Sequence, residues 1–210
     1  YFRNDIFIFL NRNQKNNKKK SNNLRLIKSI TIGTIFFLLL GGIAKIFIPN
    51  FSESFLRTNL SIATISVLMS FLMLVADKAR EKEINLINHD LLDSCKIGLG
   101  QALAIIPGVS RSGITISIAL LLGWEKKDAT KFSFLLGLPA ISLAAFVELF
   151  DSLYNDIYIP LGPLLFGLIT TFLISLLSIN FLLKFIPLNG LKIFAYYRII
   201  FGTLILISYF

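Results

Sequence analysis

The sequence predicts an all-α, polytopic membrane protein with five spans and one re-entrant helical hairpin. Three observations predict it. The chain is 55% hydrophobic and only 16% charged, with 20 Phe among 210 residues, too apolar for a soluble domain. Its apolar runs reach spanning length and are separated by short charged stretches. The run 91–123 is apolar on both flanks, yet it is interrupted by Pro107-Gly108 and carries Arg111.

The elements follow in order. Residues 1–10 are a short mixed segment. Residues 11–23 are rich in Asn and Lys, including Lys18-Lys19-Lys20, and predict a flexible basic cytoplasmic loop. The first span is 27–47, and the second, after a loop at 49–59, is 60–76. The charged segment 77–83 precedes the interrupted run 91–123. Lys126, Lys127 and Lys131 then mark a basic stretch at 124–131. The third span is 132–150, the fourth 163–185 and the fifth 193–210. Together these form a single integral membrane domain over 1–210. The chain opens mid-pattern at Tyr1-Phe2-Arg3 without Met, so an N-terminally truncated fragment is expected.

Charge orients the spans. The segments 11–28, 77–90, 124–131 and 184–192 are basic and are expected in the cytoplasm. The loops 48–59 and 151–162 carry one Arg between them and are expected outside. This alternation holds only if 91–123 begins and ends on the cytoplasmic side. Each half of that run has about 15 residues, or ~22 Å of helix. That is short of a ~30 Å hydrocarbon core, which favours a re-entrant hairpin over two spans. Its tip, at 107–112, would lie deep in the membrane and point outward.

Composition also excludes function classes. The net charge of +9 sits between apolar segments, where it sets orientation and meets anionic lipid, so no nucleic-acid partner is expected. The lone Cys95 excludes an internal disulfide and a multi-cysteine metal site, and with His89 as the one histidine no metal site is expected.

An arginine inside the membrane costs roughly 2.5–3.5 kcal/mol on insertion scales. A Pro-Gly break at the same depth is tolerated only where the freed backbone lines a protein cavity. Arg111 beside such a break therefore reads as part of an anion pocket. Gly108 and Gly113 let backbone approach a ligand. Ser110 and Ser112 offer hydroxyl donors, and Arg111 offers a planar fork for phosphate. The restarting helix aims its N-terminal amides into the same space. Thr115, four residues after Arg111, shares its helix face. The bland readings stand beside these. Arg111 pairs an acid on another helix, and either serine merely caps the second half-helix. Gln101 supports the pocket or faces a neighbouring helix. Outside the motif, His89 reads as a surface residue, Glu148 as an interfacial charge, Arg198 as a snorkelling cation, and Trp124 with Tyr196-Tyr197 as an aromatic belt.

The stretch from Gly100-Gln101 through Ile106-Pro107-Gly108-Val109-Ser110-Arg111-Ser112-Gly113-Ile114-Thr115 resembles the PGxSRSG signature of the bacterial undecaprenyl-diphosphatase family, also called bacitracin-resistance proteins. The likeness continues through Phe132-Ser133-Phe134-Leu135-Leu136, Pro139, Phe194-Ala195-Tyr196-Tyr197-Arg198 and Gly202. It thus covers most of 77–210.

The resemblance implies a cell-membrane phosphatase that converts undecaprenyl diphosphate to the monophosphate. That reaction recycles the lipid carrier of cell-wall synthesis. It implies transition-state stabilisation by Arg111, with Ser110, Ser112 and Thr115 in the pocket, and two inverted repeats, each with a re-entrant hairpin. The family's second signature, a Glu-rich segment followed by a Pro-x-Ser-Ser-x-Gly-His pattern, is missing from this chain. The general base is then a histidine or glutamate of that missing segment, and the fragment alone is in doubt as a catalyst. The nucleophile is a serine, with Ser110 available, or an activated water. A divalent cation bridging the diphosphate is compatible with the chemistry. The expected partners are a polyprenyl diphosphate and the bilayer, with a homo-oligomer compatible as well. The active site is expected to face outward. A different class, a transporter or flippase for a lipid phosphate, would use the same broken helix for binding alone.

Overall fold

The computed structural model describes residues 1–3, 17–47, 55–80, 84–155 and 160–209, with side chains withheld at 17–20 and 44–47. Seven α-helices run through the described residues: α1 (Asn17–Phe47), α2 (Asn59–Asp77), α3 (Leu91–Leu103), α4 (Arg111–Leu122), α5 (Lys126–Tyr154), α6 (Leu161–Asn189) and α7 (Lys192–Ile207). A single turn of 3₁₀ helix, Phe55–Arg57, precedes α2.

Four of these helices are long and apolar enough to cross a membrane: α1 over Ser21–Ile43, then α2, α5 and α6. They contain the first four expected spans. The fifth expected span falls in α7, whose 16 residues extend about 24 Å, less than a full hydrocarbon core. α1 begins earlier than its apolar run. Asn17 to Asn23, read from the sequence as part of a loop, form its first turns, because nothing at 17–27 breaks a helix and α1 continues into lipid-like sequence. Residues 11–16 of that expected loop lie outside the described residues.

Polar side chains within the apolar helices satisfy themselves locally. The hydroxyls of Thr31, Thr34, Thr64 and Ser70 donate to carbonyls four residues back at 2.7–2.9 Å. Helix α2 starts on Thr58, whose Oγ1 accepts from the Ser61 amide at 3.2 Å. Helices α1 and α3 cross closely at a pair of glycines. A Cβ on Gly98 would stand 2.5 Å from the Gly33 Cα, so the two backbones approach this closely only because residue 98 has no side chain.

Described residues of the four basic segments meet at one end of the bundle. There the carboxylate of Asp77, at the end of α2, accepts from the Leu191 amide at 2.9 Å and pairs with Lys126 at 3.4 Å and Lys192 at 4.0 Å. Gly190, at φ +71, lies against that carboxylate, where a Cβ would come 2.6 Å from Asp77 Cγ. At the same end Arg25 of α1 donates to the carbonyls of Ile87 and His89, both at 3.4 Å. Ile84 pairs with Trp124, and the Leu86 amide donates to Asp128 at 2.9 Å.

Two sequence readings fail here. His89 is fully buried rather than on the surface. Its ring packs on Trp124 and Phe132 at centroid distances of 4.9 and 6.0 Å. Trp124 is fully buried as well, not part of an aromatic belt, and its indole donates to Asp93 at 3.2 Å. Both belong to a polar-tipped aromatic core that joins α1, α3 and α5 at the basic end. By contrast, Tyr196 and Tyr197 are exposed.

The interrupted run is a helical hairpin. α3 and α4 pack on each other, with Gly100 against Ile114 and Ile118. The Trp124–Asp93 bond ties the residue just beyond α4 to the first turn of α3, so both ends of the hairpin lie together. Its tip reaches the opposite part of α2. A Cβ on Gly108 would meet the Ile62 carbonyl at 2.7 Å and Ile65 at 3.1 Å, in the first two turns of that helix.

Candidate active site

The break between α3 and α4 is built by local geometry. The last turn of α3 tightens, with Ala104, Ile105 and Ile106 each donating three residues back. Pro107 cannot continue the amide ladder. Gly108 then takes φ +93, a conformation that a residue with Cβ rarely adopts. Ser110 restarts the chain as the N-cap of α4, its Oγ accepting from the Gly113 amide at 3.2 Å. Arg111 is therefore the first residue of the helix, at the end where amides are unpaired and the dipole is positive.

A cavity of about 220 Å³ opens beside this turn. Ser110, Ser112, Gly113, Tyr197 and Arg198 supply its polar wall. Met73, Ile116, Phe134, Ile186, Leu191 and Phe194 are among the apolar residues that close the rest. Leu191, whose amide bonds Asp77, places one side of the cavity near the Asp77 end. Among the described residues, no Asp or Glu lines it. Small hydroxyls, a helix N-terminus and an arginine against an apolar wall suit an anion that bears a hydrocarbon chain.

The seven residues singled out in the motif divide into two sets. Ser110, Ser112 and Gly113 line the cavity. Gly108 does not; it shapes the break, and its carbonyl faces α7. Arg111 flanks the cavity by its backbone, but its guanidinium lies against Gly137 of α5, where a Cβ would stand 2.7 Å from Cζ. Its Nη1 is buried without a hydrogen-bond partner, an arrangement that ordinary folding energetics disfavours. Thr115 is nearly fully buried away from the cavity. Its hydroxyl bonds the carbonyls of Arg111 and Ser112 at 2.9 and 3.2 Å and the Ser133 hydroxyl at 2.6 Å. Gln101 is fully buried on α3 with both amide atoms unpartnered and does not line the cavity.

Arg198 corrects the sequence reading. It does not snorkel outward. It turns into the bundle, lines the cavity and donates from Nη2 to the Gly108 carbonyl. The signal was present in the chain: a cation within an apolar helix, in the stretch Phe194-Ala195-Tyr196-Tyr197-Arg198 that carries part of the family resemblance. Among the described residues, no three His, Cys, Asp or Glu side chains gather into a set that could hold a metal ion.

Comparison with known proteins places the chain in a family. The chain is 56% identical over 208 residues to the undecaprenyl-diphosphatase of Prochlorococcus marinus strain MIT 9515, covering 99% of this chain and 78% of the relative. It is 58% identical over 210 residues to that of strain MIT 9301, with the same coverage. It is 40% identical over 210 residues to that of Synechococcus sp. strain RCC307, covering 98% of this chain and 73% of the relative. The family described as bacitracin resistance protein BacA matches residues 1–204, and the chain belongs to that family.

Proposed function

We propose that this protein hydrolyses undecaprenyl diphosphate to undecaprenyl phosphate and inorganic phosphate. The reaction recycles the lipid carrier of cell-wall synthesis and confers bacitracin resistance. The observation that carries the reading is the two-faced cavity, with hydroxyls, a helix N-terminus and Arg198 on one wall and an apolar surface on the other. A diphosphate head with a prenyl tail has the same division.

The chemistry adds water across the phosphoanhydride. The bond from the bridging oxygen to the terminal phosphorus breaks, and the prenyl phosphate leaves with the bridging oxygen. The attacking group loses its proton to a base. Charge accumulates on the transferring phosphoryl oxygens and the leaving oxygen, so positioned donors lower the barrier. The amides at the start of α4, the Ser112 hydroxyl and Arg111 serve that role. Ser110 accepts from Gly113 with a lone pair and keeps its hydrogen for a phosphate oxygen. This favours a binding role for Ser110 and water as nucleophile. Arg111 leaves the Gly137 face for the head group, its unpartnered Nη1 gaining an acceptor in the move. Gly108 and Thr115 hold the turn from behind, and Gln101 supports the hairpin.

The sidedness proposal is a multi-pass bacterial inner-membrane protein, with α3–α4 re-entrant from the cytoplasm and the site open to the outer face. Two features support it: the basic segments gather at one end, and the tip packs on the first turns of α2, far from Asp77.

The test uses the full protein, purified in detergent, with farnesyl or undecaprenyl diphosphate. One inorganic phosphate released per lipid, with prenyl monophosphate as co-product, is expected. Transfer of lipid phosphate across vesicles without phosphate release would replace the hydrolase with a carrier.

A further inference from the structure

We infer that Arg198 forms a second phosphate subsite, for the phosphoryl group that stays on the prenyl chain. The inference rests on the hydrolase reading above and deepens it.

Arg198 stands on the cavity wall with Ser110 and Ser112, and one of its five N–H donors is spent on the Gly108 carbonyl. Its Nε is buried and has no hydrogen-bond partner. Among the described residues, no carboxylate lines the cavity and none pairs with this guanidinium. A cation in an apolar wall, with an open N–H edge and no counter-ion, needs an anion to complete it. The fork geometry suits phosphate oxygens.

Position decides which phosphate. Phe194 lies one helical turn before Arg198 and also lines the cavity, continuing into Leu191 and Ile186. Arg198 thus marks the border between the polar wall and the apolar wall. The phosphate joined to the prenyl chain must sit at that border, since its ester oxygen leads directly into hydrocarbon. The transferred phosphoryl group then falls nearer Ser110, Ser112 and the amides of α4. Through Gly108, the same guanidinium braces the break that presents those groups. One residue therefore sets the distance between the two phosphate positions.

The test compares wild type with Arg198→Lys in the encoded protein. Lysine keeps the charge and one donor for the Gly108 carbonyl, so the break stays braced, but it cannot also hold phosphate in a fork. Thermal unfolding in detergent reports folding, and Arg198→Gln serves as a second variant. Farnesyl phosphate and inorganic phosphate are the probes, read as product inhibition, or by calorimetry if a variant does not turn over. At least tenfold weaker farnesyl phosphate binding is expected, with KM for farnesyl diphosphate raised in parallel. Inorganic phosphate inhibition should change less than twofold. Unchanged farnesyl phosphate binding, or a loss confined to inorganic phosphate, overturns the assignment. An inactive wild type would instead overturn the hydrolase reading, so the two failures are distinguishable.

Discussion

Ser29 on α1 and His89, sixty residues later, share a buried hydrogen bond of 2.7 Å between Oγ and Nε2. The other ring nitrogen, Nδ1, lies 3.1 Å from the Leu86 carbonyl. A carbonyl can only accept, so Nδ1 carries a proton and the neutral ring takes the Ser29 hydroxyl hydrogen at Nε2. This bond ties the first long helix to the segment that opens the hairpin.

That arrangement predicts a pH dependence. Burial lowers the His89 pKa from its ordinary value near 6.5, and nearby Arg25 lowers it too. The bonds to backbone at Leu86 and Asn85 and the charge of Asp93 act in the opposite direction without reversing it. The unfolded chain then binds the proton more tightly than the folded one. Stability is fully present above pH 6.5 and falls as pH drops below it, levelling off beneath the folded pKa. Thermal unfolding in detergent from pH 7.5 to 5 should show this slope in wild type and lose part of it in His89→Gln. Parallel curves would remove His89 as the cause.

The Gly33–Gly98 crossing predicts a steric cost. Gly98→Ala places a Cβ against the Gly33 backbone, which cannot rotate away. A loss of about 1–3 kcal/mol is expected, the usual range for overpacking. Gly42→Ala meets nothing within 4 Å and should be neutral or slightly stabilising. The comparison is read from unfolding midpoints, and equal midpoints for the two variants would show that α1 and α3 do not meet so closely.

Arg111→Lys should retain insertion and folding while turnover falls about 10²-fold or more, the scale for removing one transition-state donor. Lysine keeps charge without the fork. The check is kcat and KM on a polyprenyl diphosphate. Near-normal turnover would take Arg111 out of the chemistry and leave it as a structural cation beside Gly137.

Asn88 and Lys127 are exposed and flank the hairpin on its two sides. In a Cys95→Ser background, Asn88→Cys and Lys127→Cys should label from the same face of the membrane, the cytoplasmic one. Labelling from opposite faces would make 91–123 a crossing and invert everything after it.

Val109→Cys in the same background tests which way the site opens. A membrane-impermeant thiol reagent should reach it from outside intact cells, with protection by a diphosphate analogue. Reaction only after the inner face is exposed would reverse the proposed sidedness.

Much of this protein was legible in one dimension. The four long apolar helices, the basic segments and the Pro107-Gly108 break are local properties of composition, and each is fixed by the cost of placing charge or free backbone in hydrocarbon. A serine cap for the second half-helix was likewise readable as one alternative, because it depends on residues within three positions; the structure settles it on Ser110. What only the tertiary structure decided was direction and partnership. Arg111 turns to Gly137, and Thr115 turns to Ser133. His89 and Trp124 go inside because α1 and α5 close over them. Arg198 reaches Gly108 across ninety residues of chain. The physical reason is that hydropathy reports the mean depth of a segment, whereas a side chain's role depends on which helix packs beside it. That choice is made by long-range contacts with no local periodicity to announce them.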